Sequence, residues 1–132
     1  MKRSDVPALS LAALLAASAL NHVRNPGFYY AVVPPQLCSD KGRGKGILTR
    51  KQWVLASAVP EALAAVGLLL PATRRAAATS TAVMFVGFTA GHCSALQHAF
   101  GPQGSSAAKR IHLARLPLQI PLVVWAWRAR TA

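Results

Sequence analysis

The sequence predicts an all-α protein, a transmembrane four-helix bundle with antiparallel up-down topology. Hydrophobic residues make up 53% of the 132 residues, and they fall into four long runs separated by proline, glycine and basic residues. The formal net charge is +12, and most basic residues flank the apolar runs. Apolar runs with basic ends are typical of bilayer helices, whose loops contact anionic head groups. The length leaves room for a single domain, residues 1–132.

The strong positive charge also raises the question of nucleic-acid binding. The chain has 15 Lys+Arg and 3 Asp+Glu, but a nucleic-acid-binding protein clusters its basic residues on a soluble face and carries a recognition motif. Neither feature is present in the sequence. We therefore expect anionic membrane lipids as partners and no nucleic acid.

The first predicted span covers residues 7–23. At 1.5 Å per residue this run forms a helix of about 25 Å, just enough to cross the hydrocarbon core. A signal peptide is the alternative, because Lys2 and Arg3 precede the run and Ala17-Ser18-Ala19 resembles a cleavage site. We favour an uncleaved span, and mass spectrometry of the mature N-terminus decides between the two.

One long loop, residues 26–50, follows the first span. Pro26 ends the helix, and Phe28, Tyr29 and Tyr30 lie where a membrane-interface aromatic belt is expected. The glycine-spaced basic run at 41–46 predicts a mobile, solvated segment that contacts lipid head groups. Because the run lacks the GxxxxGK[ST] spacing, a phosphate-binding loop is the weaker interpretation.

The second and third spans are predicted at residues 52–70 and 76–100, joined by a short basic turn at 72–75. Pro60 and Glu61 lie in the middle of the second span, and Glu61 is the only acidic residue inside an apolar run. In the third span Gly87 and Gly91 form a GxxxG pattern, which we interpret as close packing inside the bundle.

The fourth span, residues 111–127, contains two prolines and a charged residue. His112, Arg115 and Gln119 are three and four residues apart and so lie along one stripe of the helix. An arginine at the centre of a span costs about 3 kcal/mol on insertion scales, so such residues face a protein interior and have partners there.

Counting residues from the ends of the spans places the intramembrane polar residues in one half of the bilayer. Glu61 lies about 13 Å from the loop at 26–50, and His92 lies about 12 Å from the same side. Gln119 counts to a similar depth. The predicted cluster consists of His22, Glu61, His92, Gln97, Arg115 and Gln119.

Two interpretations of this cluster remain open. In the first, Glu61 and Arg115 form an ion pair while the other residues join the helices by hydrogen bonds. In the second, the same residues line a pocket and orient the head of a small apolar or amphipathic ligand.

Metal binding and cysteine chemistry are weaker interpretations. His92 and His98 are six residues apart and face different sides of a helix, which argues against metal ligation together with His22. Cys38 and Cys93 form no CxxC motif, and a disulfide between them is not favoured, since one lies in a loop and the other in a span. Cys93 is a candidate redox residue or nucleophile, because His92 is adjacent to it.

Several short motifs together resemble the DoxX-like family of small membrane proteins. The most specific is Arg115-Leu116-Pro117-Leu118-Gln119. The others are His22 with Pro26 and Tyr29, Val33-Pro34-Pro35, Glu61, Leu69-Leu70-Pro71 and Thr73-Arg74-Arg75. The glycine-basic insert in the first loop and Gly91-His92-Cys93 depart from the family pattern.

The resemblance implies a bacterial inner-membrane protein with cytoplasmic termini, an orientation that the nearly balanced basic residues of the two sides do not decide. It also implies association with other membrane or redox proteins. We therefore expect an accessory subunit of a membrane redox or stress-response system that binds a quinone-like lipid through the polar cluster. The alternatives are a structural, assembly or chaperone-like partner without a ligand, and an enzyme that uses Cys93.

Overall fold

The computed structural model describes residues 5–40 and 45–132. These residues form four α-helices: α1 (Val6–Arg24), α2 (Arg50–Leu69), α3 (Pro71–Ala99) and α4 (Ser106–Ala129). Two 3-10 helices, Pro26–Val32 and Pro35–Leu37, follow α1. The described residues contain no strand, only an isolated bridge between Cys38 and Leu48. The all-α prediction is therefore confirmed.

Local sequence signals explain where α2 and α4 begin. Thr49 forms a capping box with Gln52: its hydroxyl accepts from the Gln52 amide at 3.2 Å, and the Gln52 side chain accepts from the Thr49 amide at 2.9 Å. Ser105 caps α4 by accepting from the Ala108 amide at 3.1 Å. Each cap satisfies backbone donors that have no partner within the helix.

The junction between α2 and α3 is shorter than the sequence suggested. A single residue, Leu70, separates the two helices, because Pro71 begins α3. Proline suits the first helical position, where its missing N–H would have no acceptor. The predicted turn at 72–75 is therefore wrong, and those residues form the first turn of α3.

Each helix packs against two neighbours, since α1 contacts α2 and α4, and α3 contacts α2 and α4. At one end, the Trp125 indole nitrogen donates to the Pro7 carbonyl at 3.0 Å. The core at that end consists mainly of small residues, which let helices approach closely. Its buried members are Ala8, Leu11, Ala12, Leu15, Ala64, Ala65, Leu68, Ala78, Ala82, Phe85, Ala126 and Ala129.

Arg74 is buried at this end, although the sequence placed it in a short basic turn. Its Nε donates to the Leu68 carbonyl at 3.0 Å, and its Nη1 donates to Asp5 Oδ1 at 3.0 Å and to the Ala132 carbonyl at 3.2 Å. One guanidinium thus joins α2, the start of α1 and the segment after α4.

The outer faces of the helices carry many apolar side chains. Val59, Leu63 and Val66 of α2 are 59%, 69% and 58% exposed. By length and composition, α1 and α2 are the described helices that could cross a membrane, and only a third of each apolar stretch is buried within the protein.

Candidate functional site

A cavity of about 440 Å³ lies between the four helices and the segment that follows α1. We call it the central cavity, and we call residues 26–37 the cover segment. Apolar side chains form most of its wall. They include Leu14, Leu15, Phe85, Phe88 and Leu122 from the helices and Val32, Val33, Pro34 and Leu37 from the cover segment.

His22 and Glu61 form a buried pair at the wall of the central cavity. Their side chains are 6% and 3% exposed, and His22 Nδ1 lies 3.1 Å from Glu61 Oε2. The Ser18 hydroxyl donates to Glu61 Oε1 at 3.3 Å, while His22 Nδ1 also lies 2.8 Å from the Ser18 carbonyl oxygen. Ser18 is four residues before His22, so both lie on the face of α1 that meets α2.

This geometry answers the question of which partner Glu61 has. Within the described ranges, the ion pairs are His22 with Glu61 and Arg74 with Asp5. The pairing of Glu61 with Arg115, one of the two interpretations from sequence, is therefore wrong. The last turn of α1 brings an imidazole to the carboxylate instead.

The aromatic residues of the cover segment fold onto the polar residues. Tyr29 stacks on His22, with ring centroids 3.7 Å apart and an angle of 11° between the planes. The Asn21 amide donates to the Tyr29 hydroxyl at 2.9 Å, and the Arg115 guanidinium lies 4.8 Å from the centroid of Phe28. Phe28 and Tyr29, which the sequence assigned to a membrane-interface belt, both line the central cavity in the structure, and Phe28 is also 57% exposed.

Three further polar residues line the cavity without completing their hydrogen bonds. Arg115 has no carboxylate within 4 Å among the described residues. Gln119 is 7% exposed. Its Oε1 has no hydrogen-bond partner among the described residues, and neither has His92 Nδ1. A buried polar atom without a partner costs free energy, so such atoms call for a ligand or water.

The structure thus brings five of the six predicted cluster residues to one cavity: His22, Glu61, His92, Arg115 and Gln119. Gln97 is exposed and does not line it. It follows His92 by five residues, a rotation of about 140° around the helix, and therefore faces away.

The cysteines and the third histidine lie apart from the cavity lining. Cys93 and His98 are exposed, whereas Cys38 is buried, with its sulfur 3.5 Å from the Pro34 carbonyl. No disulfide joins Cys93 to Cys38. In the part of the chain that the structure describes, no group of three His, Cys, Asp or Glu residues is placed to hold a metal ion.

Gly91 marks the contact between α3 and the cover segment. A Cβ atom at this position would overlap the carbonyl oxygen of Val32, whereas one at Gly87 would meet nothing within 4 Å. The GxxxG pattern was predicted to pack inside the bundle. Only Gly91 makes a close contact, and that contact is with the cover segment, while Gly87 lines the cavity.

We expect Gly91→Ala to displace the cover segment. A Cβ pressed against backbone forces a shift that costs about 1–3 kcal/mol, so amides of residues 26–37 exchange hydrogen faster. Gly87→Ala is the matched control and leaves their exchange unchanged. Hydrogen–deuterium exchange with mass spectrometry measures both, and equal protection in the two variants would contradict the contact.

A family model described as a domain of unknown function (DUF8561) matches residues 11–130. No curated protein and no solved structure matches the chain.

Proposed function

We propose that this chain, which belongs to the DUF8561 family, is a four-span integral membrane protein whose central cavity binds a small amphipathic, quinone-like ligand. In this proposal it serves as an accessory subunit of a membrane redox or stress-response system. It lies in a bacterial inner membrane with its termini in the cytoplasm. The resemblance to DoxX-like proteins motivates the location and the redox association, and the cavity motivates the ligand.

The surface supports the membrane assignment. Exposed apolar side chains cover the outer faces of the helices, and the charged residues within the four helices lie close to helix ends, apart from Glu61 and Arg115. α3 and α4 are less apolar than α1 and α2, partly because they carry His92, Arg115 and Gln119. These three side chains line the cavity, so lipid does not have to accommodate them.

The shape and chemistry of the central cavity support the ligand. Its volume falls in the range of small-molecule sites, which are mostly apolar with a few polar groups that fix orientation. Here the polar groups come from α1, α2, α3 and α4. The single observation that carries the proposal is this convergence of His22, Glu61, His92, Arg115 and Gln119 on one apolar cavity.

A ligand-free assembly role has one observation in its favour, because the His22–Glu61 pair joins α1 to α2 as a structural contact would. The assembly role does not explain why Arg115 and Gln119 line the cavity. Neither makes a hydrogen bond with another described side chain that would hold helices together.

The test is to purify the protein in mild detergent and measure the quinones that accompany it. We expect enrichment over the bulk membrane lipid, and about tenfold less bound quinone in Arg115→Ala, since a hydrogen bond from a charged group contributes at least roughly 1.5 kcal/mol. Arg110→Ala is the control, because Arg110 is exposed on the same helix. No enrichment in the wild type, or equal loss in both variants, would reject the proposal.

A further inference from the structure

We infer that the central cavity selects a neutral ligand that donates a hydrogen bond from a hydroxyl group, a hydroquinone or phenol in preference to the corresponding quinone. This inference rests on the proposed function and specifies its ligand. It concerns binding alone.

The charges that line the cavity favour a neutral ligand. Glu61 and Arg115 both border the same space and carry opposite charges. An anionic head group near Arg115 would approach the Glu61 carboxylate, and a cationic one near Glu61 would approach the guanidinium. A charged head group in this cavity therefore meets repulsion from one of the two side chains as well as attraction to the other, whereas a neutral head group meets no such repulsion.

The hydrogen bonds of Glu61 leave acceptor capacity unused. A carboxylate accepts at about four lone-pair positions, yet Glu61 is buried and receives one side-chain hydrogen bond, from Ser18 at 3.3 Å, which is long for a hydroxyl donor. His22 Nδ1 lies 3.1 Å from Oε2, but it lies 2.8 Å from the Ser18 carbonyl oxygen. Because a carbonyl only accepts, the single Nδ1 hydrogen points there, and Oε2 is left without a hydrogen-bond donor.

A second buried acceptor lies on the same cavity wall. Gln119 is 7% exposed, and its Oε1 also has no donor among the described residues. Two buried acceptors that lack donors are satisfied by a ligand that supplies O–H groups.

The opposite requirement comes from Arg115, whose guanidinium offers N–H donors and faces Phe28 rather than a carboxylate. The ligand therefore both donates and accepts. A hydroxyl group does both at one atom. A quinone carbonyl only accepts, and it would leave Glu61 and Gln119 unsatisfied.

The test compares three ligands that share one ring and a short alkyl chain: the hydroquinone, the quinone and the hydroquinone dimethyl ether. The full-length protein is reconstituted in phosphatidylcholine nanodiscs, and binding is measured by anaerobic isothermal titration calorimetry. We expect the hydroquinone to bind about tenfold more tightly than either of the others, since each leaves a buried acceptor unpaired.

Two variants identify the groups responsible for this preference. Gln119→Leu removes one unsatisfied acceptor, and no described side chain loses a hydrogen bond to that acceptor. Glu61→Gln keeps the shape of the Glu61 side chain while removing its charge. We expect the preference for the hydroquinone to fall in both. An unchanged preference in both variants would overturn the inference.

The remaining outcomes separate the inference from the function on which it rests. If all three compounds bind with equal affinity, the cavity binds amphiphilic ligands but does not select for a hydroxyl group. The inference then fails and the proposed function stands. If none of them binds, both fail.

Discussion

Replacing Glu61 with leucine is expected to lower the free energy of unfolding by about 3 kcal/mol, the largest effect we expect within the central cavity. Removing one member of a buried ion pair leaves the other buried without compensation, which typically costs 3–5 kcal/mol. Here the variant leaves His22 and the Ser18 hydroxyl without the carboxylate that they contact. His22→Leu is expected to cost a similar amount, because it isolates the carboxylate.

The double variant His22→Leu/Glu61→Leu should be far milder than the sum of the two single variants. Replacing both members of a buried pair with apolar side chains removes the desolvation cost along with the attraction, and the result is often neutral. Equilibrium unfolding in mixed detergent micelles, followed by circular dichroism, measures the coupling energy.

The control cycle combines Glu61→Leu with Arg115→Met. The structure pairs Glu61 with His22, so these two substitutions should add within about 0.5 kcal/mol if they are independent. Strong coupling between Glu61 and Arg115, together with additivity between Glu61 and His22, would show that the pairing inferred from the sequence is the real one.

The sequence alone located five polar residues of the cavity lining, because depth in the bundle follows from fixed helix geometry. A rise of 1.5 Å per residue places Glu61, His92 and Gln119 at similar heights once their helices are counted from the same side. Depth does not give rotation around the helix axis. Gln97 lies at a depth that fits the cluster but on another face of α3. That is why it was wrongly grouped with the cavity residues.

The identity of each partner depends on features that no sequence pattern encodes. His22 reaches Glu61 because α1 turns one particular face toward α2, and Tyr29 covers the pair because residues 26–32 form a 3-10 helix. Short 3-10 segments rich in proline and glycine lack the periodicity that reveals an α-helix. Ser18 was detectable, since it lies four residues before His22 on the same face.

The remaining prediction concerns the opposite end of the helices, where the sequence suggested a short basic turn. Arg74→Met is expected to destabilise the protein by about 3 kcal/mol, because it removes the guanidinium of a buried residue that donates to three acceptors. The methionine retains most of the apolar stem. The loss of stability therefore reflects the missing hydrogen bonds and charge more than a change in packing.

Arg75→Met is the matched control for Arg74→Met. Arg75 is exposed in the same helical turn, and surface substitutions usually change stability by no more than about 0.5 kcal/mol. Thermal unfolding of both variants in the same detergent provides the comparison. Asp5→Asn should be milder than Arg74→Met, because the Leu68 and Ala132 carbonyls still accept from the guanidinium and Asp5 is partly exposed. Equal stability of the Arg74 and Arg75 variants would mean that Arg74 does not join the three segments it contacts.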